Sequence, residues 1–236
     1  MTTLHSGSPL YRLRVKWTRL RWHLRKVIQR SPPKGDVYYG DMATLYEAER
    51  TNSPRWQCEQ QAVTTIFERL PEGLSVLDVP VGTGRFLPVM LERGHHVTGF
   101  DASDEMIAIT RRRAGELGGT VETVLGDATH LPFDDGAFDV VLSSRFLRHI
   151  LPYGLARQSL AEMARVCKTY AIIELGCRDR RSNPPGEDKP MRDRLSHADT
   201  LALLRAHGFE VIEEFHTTRR FYREMRIVFF LRKTGT

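Results

Sequence analysis

Apolar residues recur along this chain with two periods, and those periods divide it into helices and strands. Leu10, Leu13, Trp17, Leu20, Leu24 and Val27 follow one another at spacings of three and four, which places them on one stripe of a helix. Ser31, Pro32 and Pro33 end that helix, because a residue preceding proline is pushed out of the α region. A polar stretch with Tyr38, Tyr39 and Tyr46 leads into a second helical pattern over residues 53–70, whose inner face is Ala62, Val63, Ile66, Phe67 and Leu70. The spacing then predicts short apolar strands over 75–79, 96–101, 121–126, 139–144 and 170–176, alternating with amphipathic helices. A helix over 196–208 opens on Ser196 and Asp199, spaced as a capping box, and strands over 210–217 and 226–232 close the chain. Strands alternating with helices predict a mostly parallel sheet covered on both faces.

Residues 75–85 are the stretch that the other elements surround. An apolar strand ends at Asp78, a turn carries Gly82 and Gly84, and Phe86, Leu87, Val89, Met90 and Leu91 begin a helix that Gly94 stops. Strand, glycine turn and helix make the mononucleotide-binding unit of a doubly wound sheet. A dinucleotide fingerprint would need a third glycine at 87, where Leu87 stands, which counts against a nicotinamide or flavin enzyme. If Gly84 caps the helix, Pro88 falls among the first N–H groups, which have no intrahelical partner.

Asp78-Val79-Pro80-Val81-Gly82-Thr83-Gly84 resembles the first motif of class I S-adenosylmethionine (SAM)-dependent methyltransferases, Asp-x-Gly-x-Gly-x-Gly, with Pro80 in place of the first glycine. Gly126-Asp127-Ala128-Thr129-His130-Leu131-Pro132-Phe133 is similar to the same family's adenine motif almost letter for letter. The resemblance covers about residues 53–233 and is to the type that acts on small molecules and lipids. It implies a Rossmann-like fold with a seven-stranded, mostly parallel sheet containing one antiparallel strand. It also implies roles for particular residues. Asp78, Pro80, Gly82 and Gly84 would form the cofactor turn. Asp101, with Ala102 beside it, would receive the ribose hydroxyls. Asp127 and the N–H of Ala128 would hold the adenine, and Ser143 and Ser144 would face the sulfonium and the acceptor. A carboxylate suits the ribose because it offers only acceptors. The competing role for Asp101 is a helix N-cap, but Ser103, Asp104 and Glu105 already supply the cap and charge for the next helix. His149 is the candidate general base. The alternative for it is a helix-terminal histidine bonded locally.

Charge divides the chain unevenly. Nine basic residues and no acid lie between Tyr11 and Lys34, against a total of +6 for 236 residues, so the remainder is net acidic. We therefore divide the chain into a basic amphipathic helix, residues 1–34, and a methyltransferase domain, residues 35–236. The helix fits docking on the domain, an anionic membrane interface through residues 10–30, or nucleic acid. Residues 34–54 fit a cofactor lid or a plain linker. Cys58, Cys167 and Cys177 are scattered, with no Cys-x-x-Cys, which points to a reducing compartment, the cytoplasm or the inner membrane face, and to no metal site.

The sequence leads to SAM-dependent transfer to a small-molecule or lipid-linked acceptor. No Asn-Pro-Pro-Tyr signature follows the fourth strand, where Ser143, Ser144, Arg145 and Phe146 stand, and no paired cysteines mark an RNA cytosine enzyme. A tRNA acceptor is the alternative left by the basic helix. A non-catalytic SAM-fold protein acting on a partner in cell-envelope assembly is the alternative left by Pro80 and by Thr169-Tyr170, which replace the family's Pro-Gly-Gly.

Overall fold

The computed structural model describes residues 53–151, 154–178, 195–218 and 224–234. The basic N-terminal helix, the stretch 34–52, most of the loop after the fifth strand and the basic turn at 219–223 lie outside the described residues.

Among the described residues, eight strands form one sheet: β1 (Ser75–Asp78), β2 (His96–Asp101), β3 (Glu122–Leu125), β4 (Phe138–Ser143), β5 (Cys167–Arg178), β6 (Leu195–Ser196), β7 (Phe209–His216) and β8 (Glu224–Lys233). Seven of them run in the order β3-β2-β1-β4-β5-β8-β7, and only β8 is antiparallel, pairing with β5 on one side and β7 on the other. This is the expected seven-stranded sheet. The addition is β6, two residues paired with Cys177 and Arg178 at the far end of β5.

Central strands show why an apolar run folds as a strand buried on both faces. Successive residues alternate between two cores. Leu77, Val141, Ile173 and Phe229 face one, while Val76, Val140, Ile172 and Val228 face the other. Helix α1 (Pro54–Arg69) covers the second core with Ala62, Val63, Ile66 and Phe67. Ser53 caps it, its hydroxyl accepting from the Trp56 N–H at 3.3 Å, and Pro54 occupies its first turn, where no N–H is needed. Full burial of Ile66 and Phe67 contributes roughly 1.5–3 kcal/mol each.

Helices α2 (Leu87–Glu92) and α3 (Asp104–Glu116) follow β1 and β2. The first of these begins at Leu87 with Phe86 as its N-cap, two residues later than a cap at Gly84 would place it. The glycine segment is a longer turn than expected, and Pro88 still sits harmlessly in the first helical turn. On the opposite face lie α4 (Leu147–Ile150), α5 (Leu155–Val166) and α6 (His197–Ala206), which insert Leu147, Leu160, Met163, Leu203 and Leu204 into the first core. Ser196 caps α6 from both directions, accepting from the Asp199 N–H at 3.1 Å and donating to its carboxylate at 2.7 Å. Between α5 and β5 there is no turn at all: Cys167 ends the helix in extended conformation and starts the strand. Loss of the family's Pro-Gly-Gly thus leaves a direct helix-to-strand junction.

Candidate cofactor site at the switch point

Strand order reverses between β1 and β4, so the carboxyl ends of these two strands open a crevice where the sheet's helices diverge to opposite faces. Register brings the expected residues to its rim. Asp78 pairs with Gly99 on one side and Leu142 on the other, which places Asp101 just beyond the end of β1 and Ser143 level with the turn.

The glycine turn is fixed from both flanks. Val79 donates its N–H to Leu142 O at 2.9 Å, and Val81 donates to Phe100 O at 2.9 Å. The Val79–Pro80 peptide is cis. Gly82 has φ +57° and Gly84 φ +69°, a backbone region that disfavours side chains. A Cβ on Gly84 would also lie 2.6 Å from Leu87 Cδ1, so this position is closed by packing as well as by conformation. On Gly82 a Cβ would meet nothing within 4 Å, which leaves open space above that backbone.

Asp101 ties the turn to β2. One carboxylate oxygen accepts from the Gly82 N–H at 2.9 Å and the other from the Ser103 N–H at 3.0 Å. Thr110 on α3 donates its hydroxyl to Gly82 O at 2.8 Å and secures the other side of the same glycine. Ser103 caps α3, its Oγ accepting from the Met106 N–H at 3.4 Å, so Asp101 is not needed as the cap. Burial raises the Asp101 carboxyl above its ordinary value, opposed by the N–H groups of Gly82, Ser103 and Ala102. Burial, and secondarily the neighbouring Asp101, push Asp78 well above the usual carboxylate range.

The remaining expected residues divide into two groups. Ser143 ends β4 and Ser144 follows it, and their buried hydroxyl oxygens have no hydrogen-bond partner among the described residues. Asp127 lies one residue past Gly126, whose N–H donates to Asp101 O at 2.9 Å, and its carboxylate accepts from the Thr129 N–H and hydroxyl, both at 2.9 Å. Asp127 is exposed and Ala128 buried. Ala102 is exposed beside Asp101. These residues share one rim. His149 is set apart on α4, exposed, with Nε2 accepting from Arg148 Nε at 3.1 Å.

The sequence offered no role for a buried charge network under the same rim. Glu59 on α1 is fully buried, and its Oε2 receives Arg85 Nη1 at 3.2 Å and Arg145 Nη1 at 3.1 Å. Arg85 also donates to Gln60 Oε1 at 2.9 Å and to the Trp56 carbonyl, and its guanidinium lies 3.5 Å over the Trp56 ring. Arg145 has φ +60°, and its N–H donates to Glu174 Oε2 at 2.8 Å. Burial raises the Glu174 carboxyl, with Arg148 the largest opposing influence. Two signals for this network were present in the sequence. Glu59 falls in register with the apolar stripe Ala62, Val63 and Ile66, and Glu174 interrupts the apolar run of β5.

Residues 76–170 match the family model described as "Methyltransferase domain". That match takes in less than half of the chain and marks these residues as similar to the family. A demethylmenaquinone methyltransferase of Clavibacter sepedonicus is 32% identical over 151 residues, covering 61% of this chain and 58% of that protein. The chain therefore spans little more than half the length of this relative. Among solved structures, the [4+2]-cyclase SpnF superposes with a TM-score of 0.61 at 21% identity, covering 74% of this chain and 81% of that one. Magnesium protoporphyrin IX methyltransferase of Synechocystis PCC 6803, with bound SAH, gives 0.60 at 20% identity, covering 78% and 87%. At these identities the structures establish the fold alone. The matched segment 76–170 carries the glycine turn, Asp101, Asp127 and the end of β4. Among the described residues no helix is long and apolar enough to cross a membrane, and no side-chain cluster could hold a metal ion.

Proposed function

We propose that the chain transfers a methyl group from SAM to a small-molecule acceptor, with a demethylated quinone of the menaquinone class as the first candidate. The observation that carries this is the convergence on one rim of an open glycine turn, the buried Asp101 carboxylate bound to that turn, and two buried hydroxyls without a hydrogen-bond partner among the described residues. These features fit SAM. The Asp101 oxygens accept the Gly82 and Ser103 N–H groups and the carboxylate keeps acceptor capacity for a ribose hydroxyl. Ser143 and Ser144 would be satisfied by a polar ligand group at the end of β4, where unpartnered burial is otherwise costly. When bound, SAM supplies an electrophilic methyl group on a sulfonium.

The residues of the chain then bind and orient. Asp101 would fix the ribose, the Gly82–Gly84 turn the backbone side of the cofactor, and Asp127 with the Ala128 N–H the adenine. Positioning of two reactants can supply roughly 7–11 kcal/mol, whereas a general base typically adds ~10²–10⁴-fold. A site made mainly of positioning groups is therefore sufficient for transfer to an activated carbon or oxygen. His149 is the candidate base on α4. The quinone is supported by the named relative; the deciding experiment is product analysis. The full chain is incubated with methyl-labelled SAM and, in separate reactions, demethylmenaquinone chemically reduced to its nucleophilic quinol, a soluble small-molecule extract and total RNA. Label in the quinone supports the proposal in full, and label in another small molecule keeps the class and changes the acceptor. Label only in RNA, or tight SAM binding with no product, overturns it.

A further inference from the structure

Two loops would flank the transferred group in the proposed site: the glycine turn after β1 and the segment after β4. Each is followed at once by an arginine, Arg85 after Gly84 and Arg145 after Ser144. Both arginines turn inward to the same atom. Glu59 Oε2 lies 3.2 Å from Arg85 Nη1 and 3.1 Å from Arg145 Nη1, and the Glu59 side chain has no exposed surface. Glu59 comes from α1, an element outside both loops. The rest of the α1 turn grips Arg85 as well, through Gln60 Oε1 and the Trp56 carbonyl, with the Trp56 ring stacked against the guanidinium. Arg226 on β8 approaches the other Glu59 oxygen at 3.9 Å.

The backbone of Arg145 needs this support. Its φ of +60° is unfavourable for a residue with a Cβ, and such a conformation persists where its surroundings over-determine it. Here Glu174 accepts the Arg145 N–H and Glu59 holds its side chain, so two buried carboxylates fix one strained residue from opposite ends. A buried charge-assisted pair has a defined geometry, and loss of one partner leaves the other buried without compensation.

We infer that Glu59 is a positioning residue that locks the Gly82–Gly84 turn and the Ser143–Ser144 segment in mutual register through Arg85 and Arg145. This rests on the cofactor site proposed above. Glu59 touches neither cofactor nor acceptor in that site. It acts through the two arginines, and its removal releases both loops together.

The test uses the full chain with Trp17 and Trp22 replaced by phenylalanine, which leaves Trp56 as the sole tryptophan. Glu59→Gln keeps the size of the side chain and removes its charge. Ile66→Ala, on the same helix and without a polar role, is the control for lost stability. Trp56 emission without cofactor reports the arginine stack directly, and calorimetry well below each melting midpoint reports SAM affinity. Glu59→Gln should shift Trp56 emission and weaken SAM binding at least about tenfold, the scale of a lost hydrogen bond to a charged group. Ile66→Ala should lower the midpoint and leave both readouts in place. Arg145→Leu, tested alongside in case Glu59→Gln does not fold, should weaken SAM binding as well; its Trp56 emission is not a readout, because Arg145 also lies over the Trp56 ring at 5.6 Å. If Glu59→Gln, or in its place Arg145→Leu, binds SAM as the parent does, the inference is wrong. If the parent itself binds no SAM, the proposed function fails, while the Trp56 emission still tells whether the lock exists.

Discussion

Asp101 is the residue on which cofactor affinity should turn, because both of its oxygens already accept a backbone N–H and the carboxylate still has acceptor capacity to offer. Asp101→Ala is expected to weaken SAM binding by roughly 1.5–3 kcal/mol, the scale of a hydrogen bond to a charged acceptor. Calorimetry measures this, and an unchanged affinity would remove Asp101 from the site. The raised pKa adds a pH dependence. Only the ionised carboxylate accepts two donors, so SAM affinity should fall as pH drops through a value above the ordinary 3.8, and Asp101→Asn should flatten that fall. For folding the same shift has the opposite sign. The folded state holds this proton more tightly, so its stabilising effect is full below pH 3.8 and is lost as pH rises through the folded value. His149 is tested differently. As a base, it predicts a ~10²-fold rate loss on His149→Ala with SAM affinity unchanged, whereas an unchanged rate assigns the ring to its bond with Arg148. The residues of the candidate rim could be named from the sequence because the glycine turn, Asp101 and Asp127 lie in local motifs. Glu59, Arg145 and Glu174 were not legible in this way, since their partners are separated by 86 and 29 positions and no local spacing links them.

Among the elements, α5 holds the Gly126–Phe133 loop through one ion pair. Glu162 Oε2 accepts the Leu131 N–H at 2.8 Å, and Arg165 donates to Leu131 O at 2.9 Å and Phe133 O at 2.7 Å. The Glu162 carboxyl lies below its ordinary 4.5, chiefly because Arg165 donates to it. A lowered carboxylate stabilises the fold above its unfolded pKa, and that contribution disappears as pH falls from 4.5 through the folded value. Glu162→Gln should therefore lower the melting midpoint at neutral pH and narrow its difference from the parent as the solution is acidified. A gap that does not depend on pH would mean that packing, not charge, ties the loop to α5. The pair is partly exposed, so the effect is expected at the lower end for a charged hydrogen bond. At this scale the hydrophobic pattern located every described helix and strand except α4 and β6. Those two are four and two residues long, too short to show a period. The delayed start of α2 was hidden for a related reason, since Thr83, Arg85 and Phe86 are all buried by the turn and carry no helical stripe.

At the scale of the whole molecule, the largest question concerns the basic segment before the domain, because its charge is unlike the rest of the chain. Nine basic residues between Tyr11 and Lys34 outweigh the total of +6, so the domain by itself is net acidic and has no general attraction for anionic surfaces. The apolar stripe Leu10, Leu13, Trp17, Leu20, Leu24 and Val27 would give a helix of this segment one face for hydrocarbon and another for lipid headgroups. Each lysine or arginine close to an anionic membrane is worth on the order of 1 kcal/mol, so half of them well placed would suffice for weak anchoring. An acceptor of the quinone kind, if confirmed, would give such anchoring a purpose, by bringing the site to where an apolar substrate concentrates. The expected result is that the full chain floats with vesicles containing anionic lipid at moderate salt, while a chain beginning at Lys34 remains below and still binds SAM. Apolar insertion is not screened, so part of the flotation should survive raised salt, whereas RNA binding by the same residues would collapse steeply through counterion release. If both chains stay below the vesicles, the segment belongs to the fold rather than the membrane. If both float, the domain itself carries the lipid affinity, and the stripe is the wrong place to look for it.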